Sequence, residues 1–269
     1  MRTYNIGGET YISNMDMNEE ELKETADMFH EIYDKPTDYY DINYITKATH
    51  ADNEKDRIKY AKKALKEDPD CLEAKVLLAK SKNRFEAIKE LEEILEEEKD
   101  RLIKIGILKK KNVGSFALTL EGMLYIDAMY ELMLLYMEIN GFKRAIYLGE
   151  EIMRLDSNYM PHLHSIVVSL YAYFEDEQRI NKICKNCGRP CIIYFISMMT
   201  VYYKKGNFKK AQEYLDLINR TNSCFIPYFK GKRVKGEEAD VVLNIVKDFN
   251  YLFDSTPYID EFIKMGGNI

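Results

Sequence analysis

The sequence has no tryptophan, and only four histidines, five cysteines and six prolines among 269 residues. Each shortage excludes something. No glycine-rich loop is present to cradle a phosphate, and neither H-E-x-x-H nor G-x-S-x-G occurs, so the common hydrolase chemistries have no motif to rest on. His30 and His50 are isolated, and no carboxylate pair falls in an apolar setting. We therefore expect no catalysis. An odd number of cysteines at irregular spacing argues against a disulfide framework. The longest apolar run, Cys191 to Tyr203, is too short to span a bilayer. The first residues, MRTYNIGGETYISNMD, lack the charged-then-apolar order of a secretory signal. Cytoplasmic residence is the expectation. Acidic residues outnumber basic ones, 45 to 39. A net charge of −6 argues against general binding to nucleic acid or anionic membrane.

What is present points to helix. Apolar residues make up 46% and charged residues 31%, a soluble globular balance with ample length for a large core. Glu, Lys, Leu and Ile are plentiful, which favours helix over strand. The 21 tyrosines suit surfaces that are partly apolar and partly wet.

Residues 1–16 are a polar lead-in. Gly7-Gly8 between Tyr4-Asn5-Ile6 and Thr10-Tyr11-Ile12 is a hairpin signal, with a loose tail as the alternative. Asn18 with Glu21 reads as a capping box that starts a helix to about Tyr33. Further helices are expected near 38–50, 53–67, 71–82 and 84–103, with Asp68-Pro69 forcing one break and Asp70 with Glu73 capping the helix after it. Residues 104–122, with Gly106, Lys109 to Lys111, Asn112, Gly114 and Ser115, read as an inserted loop. Helix pairs follow at 126–157, 162–187 and 191–220. A basic loop, Lys230 to Gly236, precedes a helix at 237–253 and a last short one at 258–265. The expected architecture is all-α: a polar tail, then one helical domain from 17 to 269 whose C-terminal helices form a cap.

The helix pairs repeat. Apolar or small residues stand at Ile126, Met129, Leu132, Met133 and Tyr136, then at Phe142, Ala145, Gly149 and Ile152. Adding 66 to each gives Ile192, Phe195, Met198, Met199, Tyr202, Phe208, Ala211, Leu215 and Ile218, all of the same character. A middle unit lies between them. Adding 37 gives Leu163, Ile166, Ser169, Leu170 and Tyr173, with Ile180, Ile183 and Cys187 on its second helix. Two helices per unit at a period near 34 residues is the tetratricopeptide-repeat pattern.

On Leu132, Tyr136, Ala145, Ala211 and the Asp68-Pro69 ending, the chain resembles the tetratricopeptide-repeat superfamily over about residues 38–220. A narrower likeness is to a divergent group related to the suppressor-of-tumorigenicity-seven proteins. It rests on the insertion, on Leu124-Tyr125-Ile126-Asp127-Ala128, and on the tail PYFKGKRV. The chain departs from the family at Met133 and Met199, where glycine is preferred, and at Ser157 and Ser223, where proline is. The resemblance implies an α-solenoid of about four to five two-helix units whose first helices line a groove. Groove positions would be Asp127, Tyr130, Leu134 and Met137, then His164, Val167, Tyr171 and Phe174, then Ile193, Ile196, Thr200 and Tyr203. Such a surface would take an amphipathic helix or an extended apolar peptide. The alternative occupant is the chain's own C-terminal helices, folded back. Tyr130 and Leu134 stand where chaperone-tail clamps need Lys and Asn, so no such clamp is expected.

The expected function is a non-catalytic module that binds a protein or peptide, self-association included, without cofactor. A peptide-sensing regulator is one alternative. A zinc-containing or RNA-handling accessory protein is another: Cys184, Cys187 and Cys191, with His162 or His164, would make four ligands. Against zinc, there is no second C-x-x-C, and Cys187 falls in register with the packed Gly149 and Leu215.

Overall fold

Side-chain caps fix the starts of several helices. In the computed structural model, which describes residues 2–6, 9–13, 43–156, 162–186 and 191–267, Asn53, Asn83, Thr119 and Asn207 each accept the backbone N–H three positions on. The chain divides into two compact units, residues 1–82 and 83–269, where the sequence reading ran one domain from residue 17.

In the first unit, β1 (Arg2–Ile6) pairs antiparallel with β2 (Glu9–Ser13), Arg2 facing Ser13 and Ile6 facing Glu9. Of the two readings of this stretch, the hairpin is the one found. The expected Asn18–Tyr33 helix lies outside the described residues. Helices α1 (Tyr44–Thr49), α2 (Glu54–Glu67) and α3 (Leu72–Lys80) meet around the buried Ala48, Ala61, Ala64 and Ala74. Alanines at these positions let the helix backbones approach closely. Tyr44 stacks on Tyr60 beside them, centroids 6.3 Å apart. The Asp70/Glu73 capping box does not form. Cys71 sits at the N-cap without a side-chain bond, and the Asp68 carboxylate takes the Asp70 N–H at 3.0 Å instead. An Asx turn thus makes this link.

The second unit opens with α4 (Arg84–Lys104), against which α5 (Leu120–Glu138) packs. The insertion between them is shorter than expected, because Thr119 caps a helix that starts at Leu120. It is also well anchored. The Asp156 carboxylate accepts the Ala117 N–H at 3.1 Å, Gly114 N–H reaches Leu155 O at 2.7 Å, and Phe116 is buried edge-on to Tyr125.

Three helical hairpins follow: α5 with α6 (Phe142–Leu155), α7 (Leu163–Tyr173) with α8 (Glu177–Asn186), and α9 (Ile192–Lys204) with α10 (Phe208–Thr221). Their turns share one geometry. Gly141, Asp176 and Asn207 donate to the carbonyls of Tyr136, Tyr171 and Tyr202, five residues back, at 2.7, 3.0 and 2.8 Å. The residue before each donor, Asn140, Glu175 or Gly206, has φ of 58°, 60° or 69°. This is the Schellman ending. The three tyrosines also do the same work outside the turn. Their hydroxyls donate to Glu92 on α4, Glu150 on α6 and Glu177 on α8, in each case a carboxylate on the preceding second helix.

These tyrosines set the register of the hairpins. They are spaced 35 and 31 residues apart, so the middle hairpin is offset by 35 and not by 37. On that register Ala145, Ile180 and Ala211 coincide, and all three are fully buried. Cys184, not Cys187, then matches Gly149 and Leu215.

The C-terminal segment comprises α11 (Phe225–Phe229), α12 (Glu237–Asp248), α13 (Asn250–Asp254) and α14 (Ile259–Lys264). The single helix expected over 237–253 breaks at Phe249, which lets Phe249, Leu252 and Phe253 all be buried. Helix α13 packs on α7, and α14 packs on α11. Tyr251 is wedged between Phe142 and Tyr173, with its hydroxyl on Ser169. Tyr203 donates to Pro257 O at 3.2 Å and its ring meets Phe262. No helix among the described residues is long and apolar enough to cross a membrane.

Candidate functional site

The inner face of α5 places Tyr130, Leu134 and Met137 on one stripe, at i, i+4 and i+7. Facing it, α12 presents Val241, Asn244, Ile245 and Asp248, at i, i+3, i+4 and i+7, and Phe249 follows. Between these walls lies an open cleft of about 580 Å3, completed by His162, Ser165 and Ile166 at the start of α7 and by Ile192 and Ile193 on α9. That volume is in the range of ligand sites, and an apolar lining with a few polar groups is their usual chemistry.

One wall is fixed by a polar pair. The Tyr130 hydroxyl and His162 Nε2 lie 3.2 Å apart, and the two rings meet edge to face. Burial first, then the neighbouring Glu131 and Asp248 carboxylates, raise the Tyr130 pKa, so this group stays a neutral phenol and keeps its proton to donate. At the mouth, Ser165 Oγ is 3.8 Å from the exposed Cys191 thiol.

The sequence-derived groove is only partly realised here. Tyr130, Leu134 and Met137 line the cleft together, with Ile193. Asp127 and His164 are half-buried and engaged by other groups. Val167 and Tyr171 are sealed against α6: a Cβ on Gly149 would meet Val167, and Tyr171 donates to Glu150. Phe174 is exposed beyond the end of α7, its ring edge-on to Tyr173. Ile196 and Thr200 are fully buried, Thr200 bonding back to Ile196 O. Tyr203 is half-buried, its hydroxyl and ring engaged by the C-terminal segment. The chain's own helices therefore fill the stretch at Ser169, Tyr173 and Tyr203, and the cleft is what they leave open. The displaced middle positions follow from the register. An offset of 35 puts His162 and Ser165 where an offset of 37 puts His164 and Val167. The C-terminal helices were weighed as an occupant of the groove, but the α12 residues were not named as a wall of it. The signal for that wall is the apolar spread over Val241, Val242, Ile245 and Phe249, wider than one buried stripe requires.

A comparison with known proteins decides little. No protein-family model matches the chain, and no curated protein matches it.

Cys184 is half-buried and engaged by another group, and Cys187 lies outside the described residues. Among the described residues no group of three or more His, Cys, Asp or Glu side chains could hold a metal ion.

The tyrosine–glutamate contacts predict an alkaline limit. Burial, reinforced by the hydrogen bond to Glu92, pushes Tyr136 up to about 12, and the same two causes raise Tyr171 and Tyr202. A free tyrosine titrates near about 10. The folded-state pKa is the raised one. These groups therefore contribute stability that is fully present below the unfolded value and is lost as pH rises through the folded values. Tyrosinate absorbance should then show a late-ionising class that appears together with loss of helical circular dichroism. Tyr136→Phe should shrink that class. Complete ionisation near pH 10 with helix intact would refute it. At the acid end, hydrogen bonds from Tyr202 and then Lys205 hold Glu177 below the usual carboxylate range. Its contribution is present above the unfolded value and lost as pH falls through the folded one.

Proposed function

We propose that the 83–269 unit is a non-catalytic interaction module of the tetratricopeptide-repeat kind, taking up a peptide or protein segment in the cleft. The observation that carries this reading is the cleft itself, an open apolar channel walled by the first helices of three successive hairpins and by α12. Three further features support it. The hairpins stack with a repeated turn, as repeat proteins do. The methionine in the wall adapts to more than one shape. The thiols Cys71, Cys191 and Cys224 suit a reducing compartment such as the cytoplasm.

The test compares the natural chain with Leu134→Glu and Met137→Arg as baits in the native host's lysate. Both positions are half-buried and line the cleft, so the substitutions place charge where a ligand would sit without opening the core. A partner held by the natural chain, lost by both variants and kept by the remote exposed control Lys89→Glu is the expected result. Identical retention by all four baits would sink the reading.

A further inference from the structure

The α12 wall of the cleft carries two exposed polar side chains. Asn244 and Asp248 lie one turn apart on the lining face of α12. Among the described residues neither side chain has a hydrogen bond or an ion pair. Asp248 is also the last residue of α12, where the negative end of the helix dipole disfavours a carboxylate. Among the described residues it is the only carboxylate in the lining, and none of the described lining residues is Lys or Arg. A smaller hollow of about 220 Å3 between α4, α5 and α6 offers a contrast. Its acids are already engaged: Glu92 by Tyr136, Glu96 by Lys99 and Glu151 by Arg154. Among the described lining residues of the larger cleft, Tyr130 and His162 pair with each other and Ser165 faces Cys191, which leaves Asn244 and Asp248 on one face of α12.

We propose that the segment bound in the cleft carries a basic residue beside a large apolar one, with the cation held by Asp248 and Asn244. The inference rests on the peptide-binding reading and adds the chemistry of the peptide. The apolar side chain fits between Leu134, Met137 and Ile166. A guanidinium or ammonium at the α12 wall gives Asp248 its counter-charge, and the Asn244 amide oxygen accepts a second N–H. The neutral Tyr130 phenol on the facing wall adds no competing charge. An acidic segment would set like charge against Asp248.

The experiment is panning of a phage-displayed random peptide library against the intact chain, followed by affinity measurement on a selected synthetic peptide. The natural protein should enrich peptides with Lys or Arg next to a large apolar residue. Asp248→Lys should weaken the selected peptide by about tenfold or more, the scale of a charge-assisted hydrogen bond, and on re-panning should enrich Asp or Glu at that place. The substitution suits the end of α12, so unchanged helical circular dichroism is expected to accompany the loss. Peptides that depend on Met137, carry no basic residue and bind Asp248→Lys unchanged would overturn the proposal and leave the cleft as a binding site. Failure to enrich any peptide, or enrichment indifferent to Met137→Arg, would overturn the binding reading and this proposal with it.

Discussion

Leucine in place of Gly149 is expected to unfold the 83–269 unit under conditions where the natural chain is folded. Gly149 lies inside α6, where it faces α7. A Cβ there would stand 2.5 Å from Val167 Cγ2, 3.4 Å from Met133 Sδ and 3.8 Å from Leu163 Cδ1. The first distance is shorter than carbon atoms tolerate, and Val167, β-branched and fully buried, has little room to turn. Two effects oppose each other for alanine. Removing glycine from a helix interior gains about 1 kcal/mol, while overpacking a core costs about 1–3 kcal/mol. Gly149→Ala should therefore come out neutral to moderately destabilising. Leucine adds three more carbons to the same crossing, and we expect a loss of roughly 3 kcal/mol or more, a large part of a typical domain's stability. The matching position on α10 is Leu215, fully buried without difficulty, so the hairpins are not interchangeable. Urea titration of Gly149→Ala, Val167→Ala and the double variant measures the coupling between the two sites. If Gly149→Ala stabilised by the full helix-propensity gain, the close crossing would be wrong.

The second large effect concerns the C-terminal segment. Tyr251→Ala removes a ring packed 5.1 Å from Phe142 and 6.5 Å from Tyr173, and it removes the Ser169 partner. Truncating an aromatic at such a site costs about 3 kcal/mol or more. Tyr251→Phe keeps the packing and should cost only about 1 kcal/mol, the net worth of a hydrogen bond. The loss should be regional. Amide exchange in 237–265 should accelerate more than in α9 and α10. Because α12 forms one wall of the cleft, any ligand affinity should fall with it. Uniform acceleration through all three hairpins would contradict this division of labour.

The helices were legible in the sequence where caps and periodicity agreed. Asn53 and Asn83 open their helices where the sequence places them, and the echo of 66 residues between the outer hairpins holds in the turns. The middle hairpin was misaligned because its turn, Glu175-Asp176, has no glycine to mark it. Apolar character alone could not distinguish Tyr171 from Tyr173; only the carbonyl that Asp176 N–H reaches tells them apart. The capping box at Asp70 failed because a competing local bond to Asp68 was closer to hand. As for the cleft, the α5 wall could be read from helical periodicity. The α12 wall could not, because which face of a terminal helix turns inward depends on contacts about 120 residues away in the chain, from Tyr130 to Asp248. The contacts of Tyr203 with Pro257 and Phe262 likewise depend on a segment that comes later in the sequence.

The position of Cys191 gives the cleft its own reporter. Its thiol is exposed and lies beside Ser165 at the mouth, whereas Cys71, Cys184 and Cys224 are more enclosed. Thiol labelling with an environment-sensitive dye would put a fluorophore at the threshold of the apolar channel, where arrival of a ligand changes its emission. Occupancy could then be titrated optically, whatever the ligand's identity.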